Sequence, residues 1–106
     1  MKKLLATLLL AVGTAHAGFF NGNSLYQKLI SNEPLDNILG MGYVIGVHDS
    51  GEGVSHCSPS NINVRQITDM VKQTLQEQPQ NRNLPADLFV TVTLKNQWPC
   101  KKGNSL

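Results

Sequence analysis

"LDNILGMGYVIGVHDSG", residues 35–51, is where the architecture of this chain hangs. Taken as a helix from near Asp36 through Ile38, Leu39, Met41, Val44, Ile45 and Val47, it is apolar nearly all round, as a central buried helix would be. The Asp36 carboxylate suits the N-terminal end of such a helix. Gly42 and Gly46, one turn apart, would let another backbone approach closely. Taken as a buried strand over residues 43–47, the same letters fit a sheet, because a short apolar run does not reveal its period. Gly51 and Gly53 then break regular structure.

The flanking segments lean towards helix. Upstream, residues 23–30 pair Leu25 with Leu29 one turn on, Asn23 or Ser24 can cap, and Asn32-Glu33-Pro34 stops the segment. Downstream, "NVRQITDMVKQTLQEQP", residues 63–79, sets Val64, Ile67, Val71 and Leu75 in one helical stripe, with Met70 beside it. Asn63 is placed to cap and Gln66 to reach back to it, as in a capping box; Pro79 ends the segment. The last segment, residues 84–100, is ambiguous. Pro85 suits a first helical turn and Asp87 suits its dipole. Val90-Thr91-Val92-Thr93 nevertheless alternates and is β-branched, which is strand chemistry. As a helix it shows only a narrow stripe through Leu88 or Phe89, Val92, and Lys95 or Asn96. The caps and the lack of a partner strand favour helix, with Trp98-Pro99 as its stop.

The ends of the chain set its context. Lys2 and Lys3 precede an apolar stretch over residues 4–12, followed by Ala15-His16-Ala17. That order is a secretory signal peptide over 1–17, too short for the roughly 18 apolar residues a membrane span needs. The expected location is therefore periplasmic, with no membrane span in the mature chain. Removing 17 residues from 106 leaves a single domain of 89, over 18–106. Of nine Lys+Arg and seven Asp+Glu, two lysines leave with the leader, so the remaining chain has no net charge. No basic run or basic-aromatic interleaving suggests nucleic acid.

Cys57 and Cys100 are the two cysteines, and an oxidising compartment favours pairing them. The expected fold is thus all-α: a small bundle of about four helices stapled by one disulfide. The staple matters for function as well. A catalytic Cys57 thiolate would need a base, for which His48 and His56 are available, and an orienting acid, Asp49 or Glu52. Its one disulfide partner argues against that chemistry, and no enzyme activity is expected. His48, Asp49 and His56 also form a conceivable metal set, but they lack the tight ligand spacing of a strong site; no metal or cofactor is expected. The default for residues 49–53 is a solvated turn, and such turns on a rigid scaffold are where binding residues concentrate.

Gly22-Asn23-Ser24-Leu25, Gly42-Tyr43-Val44-Ile45-Gly46-Val47-x-Asp49, Cys57-x-Pro59, Gln66, Pro79, Ala86 and Trp98-Pro99-Cys100 fall in an order that resembles one family across nearly the whole mature chain. These are the small exported Tai/Rap-type immunity proteins of bacterial type VI secretion. The resemblance implies a helical domain, often a homodimer, that binds a peptidoglycan amidase toxin and occludes its active site. It also implies helix over residues 43–47 and 89–94, and it matches Cys57 and Cys100 to the family's second cysteine pair. Relatives commonly carry a further pair joining the first two helices. This chain has none, so packing alone must hold its N-terminal half.

For the toxin contact, the loop from His48 to His56 is preferred over the polar connector around Gln80 to Leu84, because the disulfide would rigidify its end and lower the ordering cost of binding. Its partner-binding residues are expected to be His48, Asp49, Glu52 and His56. The alternative is a periplasmic acid-stress chaperone of the HdeA type, similarly small, helical and single-disulfide.

Overall fold

A computed structural model describes residues 20–101, so the expected leader over 1–17 lies outside the described residues. Within them are four α-helices and no strand: α1 Gly22–Ile30, α2 Pro34–Gly51, α3 Val64–Glu77 and α4 Ala86–Gln97. A 3₁₀ turn, Pro79–Asn81, precedes α4. The all-α expectation holds, including both segments with strand character. No described helix is long and apolar enough to cross a membrane.

α1 begins two residues earlier than capping preference alone suggests. Asn21, rather than Asn23 or Ser24, is the cap, its side chain accepting from the Ser24 N–H at 2.8 Å. The reason is tertiary. The first backbone N–H groups of α1 point at the chain just before α4: Gly22 N–H donates to Leu84 O at 2.8 Å and Asn23 N–H to Arg82 O at 2.7 Å. These donors would otherwise lack partners, as at any helix start. Only glycine fits here. A Cβ on Gly22 would lie 2.7 Å from a Phe89 ring carbon and 2.8 Å from Arg82 O. The Arg82 guanidinium also stacks on Tyr26, 4.2 Å from the ring centroid.

The α1–α2 corner shows how the N-terminal half holds without a second disulfide. Asn37 Nδ2 donates to Lys28 O at 2.8 Å and Ser31 O at 3.0 Å, satisfying carbonyls at the end of α1. Ser31 Oγ donates to Asp36 Oδ2 at 2.8 Å, and Lys28 Nζ approaches Asp36 Oδ1 at 3.6 Å. Pro34 takes the first helical position of α2, two residues before Asp36, its fixed φ being ready-made for a first turn.

α2 is a continuous helix, but it is not the buried centre of the bundle. Gly40 and Val44 are its only buried residues, while Leu35, Ile38 and Leu39 are 66%, 64% and 49% exposed. The close contact occurs instead at Gly40, against side chains of α1, where a Cβ would meet Leu29 Cδ2 at 2.8 Å. Gly42 and Gly46 have nothing within 4 Å. A helix apolar over most of its length therefore covers the core with one side and turns Leu35, Ile38, Leu39, Gly42 and Gly46 outward along the other.

α3 follows the sequence closely. The capping box is present in both directions, Gln66 N–H to Asn63 Oδ1 at 2.8 Å and Asn63 N–H to Gln66 Oε1 at 3.2 Å. Ile67, Val71 and Leu75 are buried with Thr68, whereas Val64 is exposed. In α4 the buried face is Ala86, Phe89, Val90, Thr93 and Leu94; of the stripe expected from the sequence only Phe89 belongs to it, and Leu88, Val92, Lys95 and Asn96 face out. Pro85 is the cap residue rather than part of the first turn. Thr93 Oγ1 donates to Thr74 Oγ1 at 2.8 Å, joining α4 to α3. The core gathers Leu25, Val44, Val71, Leu75, Val90 and Leu94 from all four helices.

Candidate functional site

The last turn of α2 and the chain that follows it build a compact knot over residues 48–58. The helix runs to Gly51 before breaking, so His48 and Glu52 fall four residues apart on one side of it. Gly53 then adopts φ +84°, a conformation that favours glycine. Its N–H donates to His56 O at 2.7 Å, while Gly51 O accepts from Ser55 N–H at 2.8 Å and Val54 N–H at 3.0 Å. This reversal lays the His56 ring against Gly51, where an added Cβ would sit 3.3 Å from the ring carbon Cε1.

Two anchors hold the exit. Cys57 is bonded to Cys100, and its N–H donates to Trp98 O at 2.8 Å. The turn is thereby fastened to the end of α4, and no described cysteine is free. The sequence predicts this bridge, and with both sulfurs engaged Cys57 offers no thiolate for nucleophilic chemistry.

Inside the knot three donor atoms converge. Glu52 Oε1 lies 3.2 Å from His48 Nε2 and 3.2 Å from His56 Nε2. The imidazole centroids are 4.9 Å apart. Glu52 Oε2 accepts from the Ser58 N–H at 2.9 Å, which fixes the carboxylate. His48 Nδ1 faces Asp49 Oδ1 at 2.9 Å, and its Nε2 also lies 3.1 Å from Ser58 Oγ. The Glu52 contact to His56 lies outside hydrogen-bond geometry, and neither ring nitrogen of this buried side chain has a hydrogen-bond partner. Burial pushes the His56 pKa below its ordinary value against the opposing pull of the Glu52 carboxylate; the charge of His48 adds to the lowering, while the His48 backbone opposes it. A buried polar atom left unpaired costs roughly 1–3 kcal/mol, so His56 calls for an explanation.

The four expected contact residues thus separate into inner and outer ones. Asp49 is 72% exposed and Glu52 38%, whereas His48 and His56 are largely enclosed, at 12% and 2%. The most exposed apolar side chain of the turn is Val54, at 78%. Sequence reasoning missed Ser58, which contacts both His48 and Glu52, and it weighed Asp49 instead of Glu52 beside the two histidines. Spacing offered a partial signal: Glu52 stands four residues after His48 and four before His56, but only the first interval is set by the helix. Ser58, His48 and Asp49 also align like a hydrolase triad. Glu52 Oε1 lies as close to His48 Nε2 as the Ser58 hydroxyl does, however, so the ring nitrogen that a triad reserves for the nucleophile is shared with a carboxylate.

Fold and turn together define a small, disulfide-clasped helical domain that presents a braced loop. The family model described as Rap1a immunity proteins matches residues 21–100, and the chain belongs to that family. Membership assigns it to toxin immunity, with a toxin effector as the implied partner; immunity proteins are generally not enzymes. No curated protein matches the chain.

Proposed function

We propose that the protein is an exported immunity protein that binds a peptidoglycan amidase toxin delivered by type VI secretion and occludes its active-site cleft, without chemistry of its own. The observation that carries this reading is the pre-shaped turn over residues 49–55. It projects Val54 and Asp49 into solvent while Gly53, the Glu52–Ser58 hydrogen bond and the Cys57–Cys100 bridge fix its backbone. A loop already held in one conformation loses little entropy on entering a cleft, and a few well-packed anchors then supply most of the affinity.

The outward face of α2 supports a second element of the proposal, a homodimer. Leu35, Ile38, Leu39, Gly42 and Gly46 share that face, with space beside both glycines for a second helix. A second copy would cover apolar surface that the fold leaves in water.

The test is titration calorimetry against an amidase toxin, with the amidase activity measured in parallel. Asp49→Ala combined with Val54→Ala should weaken binding at least tenfold at an unchanged melting temperature. Failure of the unaltered protein to bind or inhibit any amidase toxin would overturn the reading. Unfolding in acid with suppression of client aggregation would favour the chaperone alternative instead.

A further inference from the structure

The convergence of His48, Glu52 and His56 is chemically specific. Their three donor atoms, two imidazole nitrogens and one carboxylate oxygen, lie within 4.8 Å of one another. Bonds of about 2.0–2.1 Å to a tetrahedral zinc ion place neighbouring donors about 3.3 Å apart. Both Glu52 edges of the triangle already measure 3.2 Å. The remaining edge, between the imidazoles, has to shorten by at most roughly 1.5 Å, within reach of small side-chain rotations.

The surroundings are those of a metal-ligand set. His48 presents Nε2 to the centre because Nδ1 faces the Asp49 carboxylate, the arrangement that orients a metal-bound imidazole and raises its basicity. Ser58 N–H holds Glu52 Oε2 and leaves Oε1 directed at the two rings. His56 is the independent pointer: its ring is buried, it lacks a hydrogen-bond partner at either nitrogen, and it is directed at the same carboxylate oxygen. An ion bonded to Nε2 would satisfy that nitrogen at the centre of the cluster. The mixed imidazole and carboxylate donors suit zinc and its neighbours in the transition series, and do not suit magnesium or calcium.

We propose that His48, Glu52 and His56 bind one divalent transition-metal ion of the zinc class, with three protein ligands and a fourth position open to water or to a donor from a partner. Asp49 and the Ser58 N–H position the ligands without touching the ion, and the Ser58 hydroxyl gives up its contact with His48 Nε2 when the ion binds. Binding pins the end of α2 to the returning chain at a point distant in sequence from Cys100, so ion and disulfide brace the same turn from two sides. This site does not depend on the identity of the toxin.

The experiment is calorimetric titration of Zn²⁺ into untagged, chelator-treated protein at neutral pH. It is paired with the visible spectrum of the Co²⁺ form and with melting curves with and without Zn²⁺. Expected are a 1:1 complex, a four-coordinate Co²⁺ spectrum and a raised melting temperature. His48→Gln and Glu52→Gln, both on partly accessible side chains, should each weaken Zn²⁺ binding on the order of 100-fold. Asp49→Asn should weaken it by about tenfold, as loss of an orienting partner does. Circular dichroism of each variant separates lost ligation from lost fold. Absence of Zn²⁺ binding, Mg²⁺ binding of equal strength, or Zn²⁺ affinity unchanged in folded His48→Gln and Glu52→Gln would each overturn the proposal. None of these readouts involves a toxin, so this site and the immunity mechanism can fail separately.

Discussion

Three glycines in one helix should respond to alanine in opposite directions. Gly42 and Gly46 lie in the interior of α2 with no atom within 4 Å of an added Cβ. Each should therefore gain the full helix-propensity difference, roughly 0.8–1 kcal/mol. In a domain of this size that raises the melting temperature by about 4–8 °C per substitution. At Gly40 the new methyl meets Leu29 Cδ2 at 2.8 Å and Lys28 Cβ at 3.3 Å. Leu29 is buried and has little room to swing aside, so repacking it costs about 1–3 kcal/mol, which outweighs the propensity gain, and Gly40→Ala should lower the melting temperature. The assay is thermal and urea unfolding, at a concentration where light scattering shows monomers. A Gly40→Ala protein as stable as Gly42→Ala, or a destabilised Gly46→Ala, would refute this account of the α1–α2 contact. Gly46→Leu carries the argument to assembly: the monomer has room for the side chain, whereas a helix docked on that face does not. A dimer that survives Gly46→Leu unchanged would remove this face as its seam.

Three further outcomes follow from features of the fold. Replacing Cys57 and Cys100 together by serine opens a loop spanning 43 residues and should cost up to roughly 4 kcal/mol in urea unfolding; a loss below about 1 kcal/mol would mean that the reduced chain is constrained by other means. Gly22→Ala drives a Cβ to within 2.9 Å of Arg82 backbone atoms, which cannot swing aside, and should lower stability by about 2–3 kcal/mol in the same assay. The metal-free protein should lose stability as pH falls below the ordinary histidine pKa of 6.5, because the unfolded chain takes up a proton before buried His56 does. That loss levels off once the folded pKa is passed, with Glu52 and His48 the groups facing the ring, and a folded His56→Gln protein should show a flatter denaturation midpoint across this range.

How far the sequence reveals the structure depends on where each cause lies. α3 is legible because its causes are local: Asn63 and Gln66 cap each other, and Ile67, Val71 and Leu75 form a stripe against a polar face. The start of α1 is less so, because the partners of Gly22 and Asn23 lie some sixty residues ahead at Leu84 and Arg82. α2 misleads in a different way. Hydropathy shows that Leu35 and Ile38 are apolar, but it cannot say that the other described residues leave them uncovered. In α4, packing overrides the β-branched run, since Val90 and Thr93 are needed on one helical face. The bridge at Cys57 follows from counting cysteines. The Glu52 centre does not follow from spacing alone, because Gly51 and Gly53 suggest that the helix has ended before Glu52. The helix does end at Gly51, and it is the turn beyond it that returns His56 over the helix end to meet Glu52.

The grip of residues 82–84 on the first turn of α1 bears on the order of assembly. A polypeptide emerges N-terminus first, yet the bonds that finish α1 are made to residues close to α4. Until those residues appear, the opening helix can rest on α2 and α3 but has no partner for its first N–H groups, and the long closure delays its locking. Docking of the earliest segment should therefore be among the last events, and a chain cut short before Arg82 should leave that segment in rapid exchange with solvent.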